Sequence, residues 1–136
     1  MPFYEFDVTS PANTPQAAPT EVLAALVPGV VTQVSVQVPR GVAALTGAQV
    51  WRGDFQVWPS NPGGYLKGDN VNISWTEQYY LDDEPLTLRL RVWNNDDSFP
   101  HTITFRFALM PLAQAAELRA APGLLRRLFE GLIGSP

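Results

Sequence analysis

The chain has 136 residues, no cysteine and a formal net charge of −4. Its length suits one domain with its own core, and the lack of cysteine excludes disulfides, thiolate catalysis and cysteine-ligated metal centres. Nine basic residues against thirteen acidic ones, with no basic stripe, argue against nucleic-acid binding, which needs a positively charged surface.

The amino terminus reads MPFYEFDVTSPANTP and contains neither a positively charged segment nor an apolar core. The sequence therefore predicts no signal peptide. No apolar run approaches the roughly 18 residues of a membrane span, so no span is predicted either. A virion or the cytoplasm is the expected location.

Residues 1–29 are interpreted as an amino-terminal strand followed by a proline-rich extended arm. The strand is expected at residues 3–8. Residues 9–20 contain three prolines, which lack the N–H that a ladder needs, so this stretch is either a surface loop or an arm lying on a neighbouring subunit. Residues 21–26 suit a short strand or a helical turn.

Residues 30–110 are interpreted as the domain core because apolar and polar residues alternate there, as expected for half-buried strands. The alternation predicts four strands, at residues 30–38, 71–79, 86–93 and 102–109. Residues 48–58 are either a hairpin turning at Arg52-Gly53-Asp54 or one strand with a glycine bulge, and the bulged strand is preferred.

Several short strands without interleaved helices predict an all-β fold. One apolar face per strand fits an antiparallel β-sandwich, of jelly-roll or immunoglobulin-like kind. The choice between these two depends on long-range pairing and stays open.

Residues 111–136 are interpreted as a helical tail. The alanine-rich residues 111–121 suit a first helix. After Pro122, apolar residues recur at one-and-four spacing, which indicates a second, amphipathic helix. Some ten residues give a helix too short to be stable alone in water, so it must pack on its own sandwich or on another subunit. The stripe proposed to bind a partner consists of Leu124, Leu125, Leu128, Phe129, Leu132 and Ile133.

Catalytic groups are sparse in this sequence. His101 is the single histidine, and its candidate partners Ser98, Asp96 and Asp97 share its own loop, whereas triads are usually assembled from separate elements. Glu77 falls on the inward-facing register of its strand, but one carboxylate does not make a hydrolase site. We therefore expect a protein that is not an enzyme and needs no cofactor.

Calcium is the ionic ligand to consider. If alternate loops lie at alternate ends of the sandwich, the loop before residue 71 and the loop after residue 93 share one end. That end gathers Asp69, Asn94, Asp96 and Asp97, whose oxygens are of the type that calcium binds. The preferred alternative is that these residues simply form turns.

Tryptophans offer a contact surface. Trp93 lies opposite the core register of its strand, so we expect it to be exposed or covered by a partner. Trp75 belongs to the apolar register and is expected in the core.

The sequence thus favours a non-enzymatic structural or assembly protein. We expect a homo-oligomer or a subunit of a larger particle, resembling virion shell, decoration or tail accessory proteins in architecture alone. The alternative is a module that binds a glycan or another ligand through Trp93, Trp58 and the Asp/Asn-rich end.

Overall fold

The computed structural model describes residues 2–119, with side chains described as far as Ala115. Eight strands and one helix follow one another along this part of the chain. They are β1 (Phe3–Ser10), β2 (Thr20–Ala25), β3 (Gly29–Val38), β4 (Thr46–Arg52), β5 (Phe55–Trp58), β6 (Val71–Leu81), β7 (Thr87–Asn94), β8 (His101–Pro111) and α1 (Leu112–Arg119).

The strands form two four-stranded antiparallel sheets, so the predicted all-β sandwich is confirmed. The first sheet has the order β1-β8-β3-β6 and the second the order β2-β7-β4-β5. In an immunoglobulin-like sandwich the first two strands are neighbours in one sheet. Here they lie in different sheets, and β1 pairs with the last strand, which is the double Greek key of a jelly roll.

The core lies between the two sheets and follows the alternation in the sequence. Alternate residues of β7 and β8 are fully buried: Leu88, Leu90, Val92, Ile103, Phe105, Phe107 and Leu109. Burying one phenylalanine side chain contributes roughly 1.5–3 kcal/mol. The four strands predicted within residues 30–110 are all present.

The amino-terminal segment differs from the predicted extended arm. Strands β1 and β2 each complete one sheet, and the proline-rich stretch between them turns back onto the domain. The N–H of Asn13 donates to the carbonyl of Asp96 at 2.8 Å, while Thr14 and Asn94 exchange two backbone hydrogen bonds. Of the two alternatives for residues 9–20, the structure therefore shows a loop held by its own chain.

The preferred bulged strand at residues 48–58 is wrong, because the chain makes a hairpin there. Strands β4 and β5 pair directly, with Arg52 opposite Phe55. Gly53 has a φ of 57°, in the left-handed region that glycine adopts without a steric penalty. A bulge does occur, but it lies in β5, where Val50 pairs with Trp58 and Trp51 pairs with Gln56.

The first tail helix is confirmed as α1, and it packs on its own domain. Ala115 is buried against Val30 and Met110 on the outer face of the first sheet. No helix within residues 2–119 is long and apolar enough to cross a membrane. The stripe predicted to bind a partner, from Leu124 to Ile133, lies outside the described residues.

Candidate functional site

The outer face of the second sheet carries large polar and aromatic side chains. On it, Trp51 of β4 lies opposite Arg89 of β7, and Gln49 lies opposite Arg91. On the other side of β7, Arg91 is the partner of Glu21. Alternation places all of these residues on one face, because the Leu88, Leu90 and Val92 side chains fill the other.

Two guanidinium groups on this face have different partners. Arg89 donates to Glu21 at 2.5 and 3.2 Å and to the carbonyl of Gly53 at 2.5 Å. Arg91 lies over the Trp51 ring, 4.7 Å from its centroid. Its Nε is buried and has no hydrogen-bond partner.

Arg91 is unusual among the half-buried arginines of the described chain. Each of the others pairs with a carboxylate: Arg52 with Asp83, Arg89 with Glu21 and Arg106 with Glu5. Glu21 is the cross-strand neighbour of Arg91, but its carboxylate forms its ion pair with Arg89 instead. The hydrogen bond from Arg89 lowers the pKa of Glu21, and the charge of Arg91 adds a smaller lowering.

Arg91 and Trp51 line an open cleft of about 510 Å³. Two glutamines build its wall by holding the loop at residues 59–64. Gln49 donates to the carbonyl of Gly64 at 2.8 Å, and Gln56 donates to the carbonyls of Pro59 and Asn61 at 2.7 and 3.2 Å. The other residues that line the cleft are Gln16, Asp54, Phe55, Ser60, Pro62 and Gly63.

The expectation of an exposed or partner-covered Trp93 is wrong. Its register is as predicted, since the ring lies outside the main core, but the residue is only 2% exposed. Tyr65, from the loop after β5, covers it at a centroid distance of 5.0 Å and an interplanar angle of 70°. Trp58 is also buried, at 4% exposure, so the glycan-binding alternative loses both of its tryptophan platforms.

Two of the four calcium candidates, Asp69 and Asp96, accept backbone N–H groups through their carboxylates. Asp69 accepts the N–H groups of Gly41 and Ala43 at 2.9 and 2.8 Å. Asp96 accepts the N–H groups of Ser98 and Phe99 at 2.9 and 3.3 Å.

The other two calcium candidates make hydrogen bonds of other kinds. The side-chain amide of Asn94 donates to the carbonyls of Ser10 and Phe99 at 3.1 and 2.9 Å. Asp97 accepts the hydroxyl of Ser98 at 2.8 Å. Within the part of the chain that the structure describes, no cluster of three or more acidic or histidine side chains is placed to hold a metal ion.

The histidine loop does not contain a triad geometry. His101 Nε2 lies 2.8 Å from Asp96 Oδ2, but the Ser98 hydroxyl donates to Asp97 instead of to the imidazole. Asp96 thus joins the turn that follows β7 to the first residue of β8. This arrangement positions the loop and leaves Ser98 without a base.

The hydrogen bonds of Asp69 and Asp96 to backbone N–H groups predict an acid-labile end of the sandwich. The N–H of Ser98, followed by the His101 imidazole, lowers the pKa of Asp96, and the N–H groups of Ala43 and Gly41 lower that of Asp69. Unfolded aspartate has a pKa of about 3.9. The stabilisation is therefore complete above about pH 4 and is lost as pH falls through the lower folded-state values.

We expect the urea midpoint of the wild type to fall steeply below about pH 4. The double variant Asp69→Asn/Asp96→Asn should show a shallower decline, because asparagine keeps an acceptor oxygen but does not titrate. The control Asp82→Asn changes an exposed carboxylate that accepts no hydrogen bond from a described residue. Equal acid slopes in the double variant and the wild type would contradict the assignment.

Glu77 points inward as its register predicts, and its carboxylate accepts hydrogen bonds from two indoles. Its Oε1 accepts the Nε1–H of Trp58 at 2.8 Å and that of Trp75 at 3.0 Å. Trp58 belongs to β5 and Trp75 to β6, so one carboxylate joins the edge strands of the two sheets. Trp75 is half-buried against the core, as expected.

A β-bulge sets the position of Glu77. Val31 pairs with Tyr79 while Gln33 pairs with Thr76, so Glu77 and Gln78 together oppose Thr32 alone. A bulge re-aims the side chains of the strand that carries it. The sequence signalled an unusual inward carboxylate, but the bulge and the indole partners follow from pairing with β3 and β5.

No protein-family model matches this chain, and no curated protein matches it.

The cleft lined by Arg91 and Trp51 was not predicted from the sequence. The alternating register of β7 contained a signal for it, since Arg89 and Arg91 oppose the buried leucines.

Proposed function

We propose that this chain is a non-enzymatic structural protein that self-associates or serves as a subunit of a larger particle. The observation that carries the proposal is the free edge of β6. This strand has eleven residues and, within the described chain, pairs with β3 on one side only. An unprotected edge strand is a template for pairing with another chain.

The composition of β6 leaves its edge open. Its sequence, VNISWTEQYYL, contains no lysine, arginine or proline, which are the residues that commonly protect sheet edges. Its single charge, Glu77, is engaged by the two indoles. The bulge at Glu77 and Gln78 limits the regular edge to residues 71–76, long enough to pair with a strand of usual length.

Exposed apolar side chains support the same proposal. Each of the four edge strands carries a large apolar residue that is more than a third exposed. They are Phe3 on β1 at 57%, Leu23 on β2 at 63%, Phe55 on β5 at 77% and Val71 on β6 at 38%. Burial of such side chains is a main source of association free energy.

The tail adds a second surface to the proposal. Helix α1 lies on the outer face of the first sheet, and the apolar stripe of Leu124 to Ile133 follows it in sequence. Jelly rolls occur in viral shells and also in lectins. The comparison with virion shell, decoration or tail accessory proteins is therefore one of architecture.

We expect the full chain to form a defined oligomer or larger assembly, measured as absolute mass by light scattering after size exclusion. A chain ending at Arg119 removes the stripe but keeps α1, whose Ala115 covers Met110 and Val30. Ser74→Lys adds a charge to the exposed middle of β6. Either change should reduce the mass if the corresponding surface makes the contact.

The control for charge is Ala17→Lys, which lies in the exposed loop between β1 and β2. It should keep the mass of the full chain. Monomers of full chain at every concentration would overturn self-association. A full-chain oligomer that neither change affects would show that the edge and the tail are not the contacts.

A further inference from the structure

The cleft at Trp51 contains a cation whose hydrogen-bond donors are unused. The Arg91 guanidinium lies over the indole, with its Cζ 4.7 Å from the ring centroid. Its Nε is buried and lies out of reach of a ligand, but its two terminal nitrogens donate no hydrogen bond to a described side chain or backbone group. The two terminal nitrogens of a guanidinium form a planar fork that matches a carboxylate.

We propose that this cleft binds an acidic sugar, a pyranose ring with a carboxylate, through an ion pair with Arg91. The inference does not depend on the assembly proposed above. Each of the other half-buried arginines of the described chain already pairs with a carboxylate of the protein. Arg91 is therefore the half-buried arginine that can pair with the carboxylate of a ligand. A volume of about 510 Å³ lies within the usual range for small-molecule sites.

The remaining lining favours a sugar over a purely apolar acid. Phe55 is 77% exposed and offers an apolar surface to a ring face. Ser60 and Gln16 also line the cleft, are exposed and make no side-chain hydrogen bond in the described chain, so both can bond to hydroxyls. The aromatic surface thus matches the ring face of an acidic sugar, the neutral hydrogen-bonding groups match its hydroxyls, and the cation matches its carboxylate.

Asp54 is the one group in the lining that opposes an anion. It is exposed on the rim, and its charge acts on neighbouring Arg89. Because solvent screens an exposed charge, its repulsion is smaller than the attraction of a paired guanidinium. Asp54→Asn is therefore expected to tighten the binding of an acidic sugar a few-fold.

The test is a titration of the ¹⁵N-labelled full chain with tri-galacturonate, followed through its four indole N–H signals. Trp51 lines the cleft, whereas Trp58 and Trp75 donate to Glu77 and Trp93 is covered by Tyr65. We expect the Trp51 signal to shift on binding and the other three to report that the fold is unchanged. Maltotriose is the neutral probe and benzoate the aromatic acid without hydroxyls.

Arg91→Gln should weaken tri-galacturonate binding by roughly tenfold or more, the loss expected for one charge-assisted hydrogen-bonded pair. Arg40→Gln removes the same charge from an exposed site outside the cleft and should leave the affinity unchanged. The proposal is overturned by a silent Trp51 signal, by an equal response to maltotriose, by tighter binding of benzoate, or by equal losses in the two arginine variants.

Discussion

Gly47→Ala is expected to destabilise the domain by about 3 kcal/mol, the upper part of the range for overpacking a well-packed site. Gly47 lies opposite Trp93 across β4 and β7. A Cβ at residue 47 would overlap the Cε2, Cζ2 and Nε1 atoms of the indole. The close approach of ring and backbone, rather than an unusual φ, requires glycine here.

The indole has little room to move away from an added methyl group. Tyr65 packs on it edge to face, and Lys67 lies over the Tyr65 ring at 5.6 Å. The same loop is fixed to β4 by two backbone hydrogen bonds between Leu66 and Ala48. The added volume must therefore be absorbed by separating strands or by displacing this loop, and both expose buried surface.

Urea denaturation of the Gly47→Ala variant measures this cost, and a double-mutant cycle identifies its cause. In a Trp93→Leu background the overlapping ring atoms are absent, so Gly47→Ala should then cost less than about 1 kcal/mol. The difference, roughly 2 kcal/mol, is the coupling between the two sites. Equal costs in the two backgrounds would show that the indole is not what excludes a side chain at residue 47.

Glu77→Leu is expected to lower the free energy of unfolding by a similar amount, about 3 kcal/mol. Here the cost comes from lost hydrogen bonds, whereas in Gly47→Ala it comes from added volume. Leucine is close to glutamate in size but accepts no hydrogen bond. The substitution leaves the indole N–H groups of Trp58 and Trp75 without their acceptor. A buried donor that loses its partner costs about 1–3 kcal/mol, and Trp58 is the more buried of the two at 4% exposure.

Glu77→Gln is the matched variant, because its side-chain oxygen can still accept both indoles but carries no charge. We expect it to cost about 1 kcal/mol, since hydrogen bonds to charged groups are stronger than those to neutral ones. The shifts of the two indole N–H signals in an NMR spectrum report the bonds directly. If the Glu77→Leu and Glu77→Gln variants proved equally stable, the hydrogen bonds of Glu77 would not be what joins β5 to β6.

The strands were predictable from the sequence because alternation is a local property. Leu88, Leu90 and Val92 are apolar at every second position, and a strand must place such residues on one face. The same rule placed Glu77 inward and Trp93 outward before any pairing was known. The jelly roll, by contrast, requires β1 to pair with β8, with Ser10 opposite His101. Nothing in the sequence of either strand indicates that the other strand is its partner.

The candidate site was less predictable than the fold. The sequence named Asp69 and Asp96 as calcium ligands or turn formers, and only the structure shows that their carboxylates accept the N–H groups of Gly41, Ala43, Ser98 and Phe99. Of the two cleft residues, only Arg91 was visible as an outward residue, from the alternation in its strand. That Arg91 lacks a carboxylate follows from the choice of Glu21 to pair with Arg89, a competition settled by three-dimensional geometry.

The sequence alone therefore determined the four strands with clear alternation, at residues 30–38, 71–79, 86–93 and 102–109, and that the fold is an all-β sandwich. The tertiary structure decided the strand order, the free edge of β6 and the covering of Trp93 by Tyr65, 28 positions away in the chain. The physical reason is the distance along the chain over which each property is set. Side-chain direction along a strand is set by backbone geometry over two residues, whereas pairing and burial depend on contacts between segments that the chain brings together only on folding.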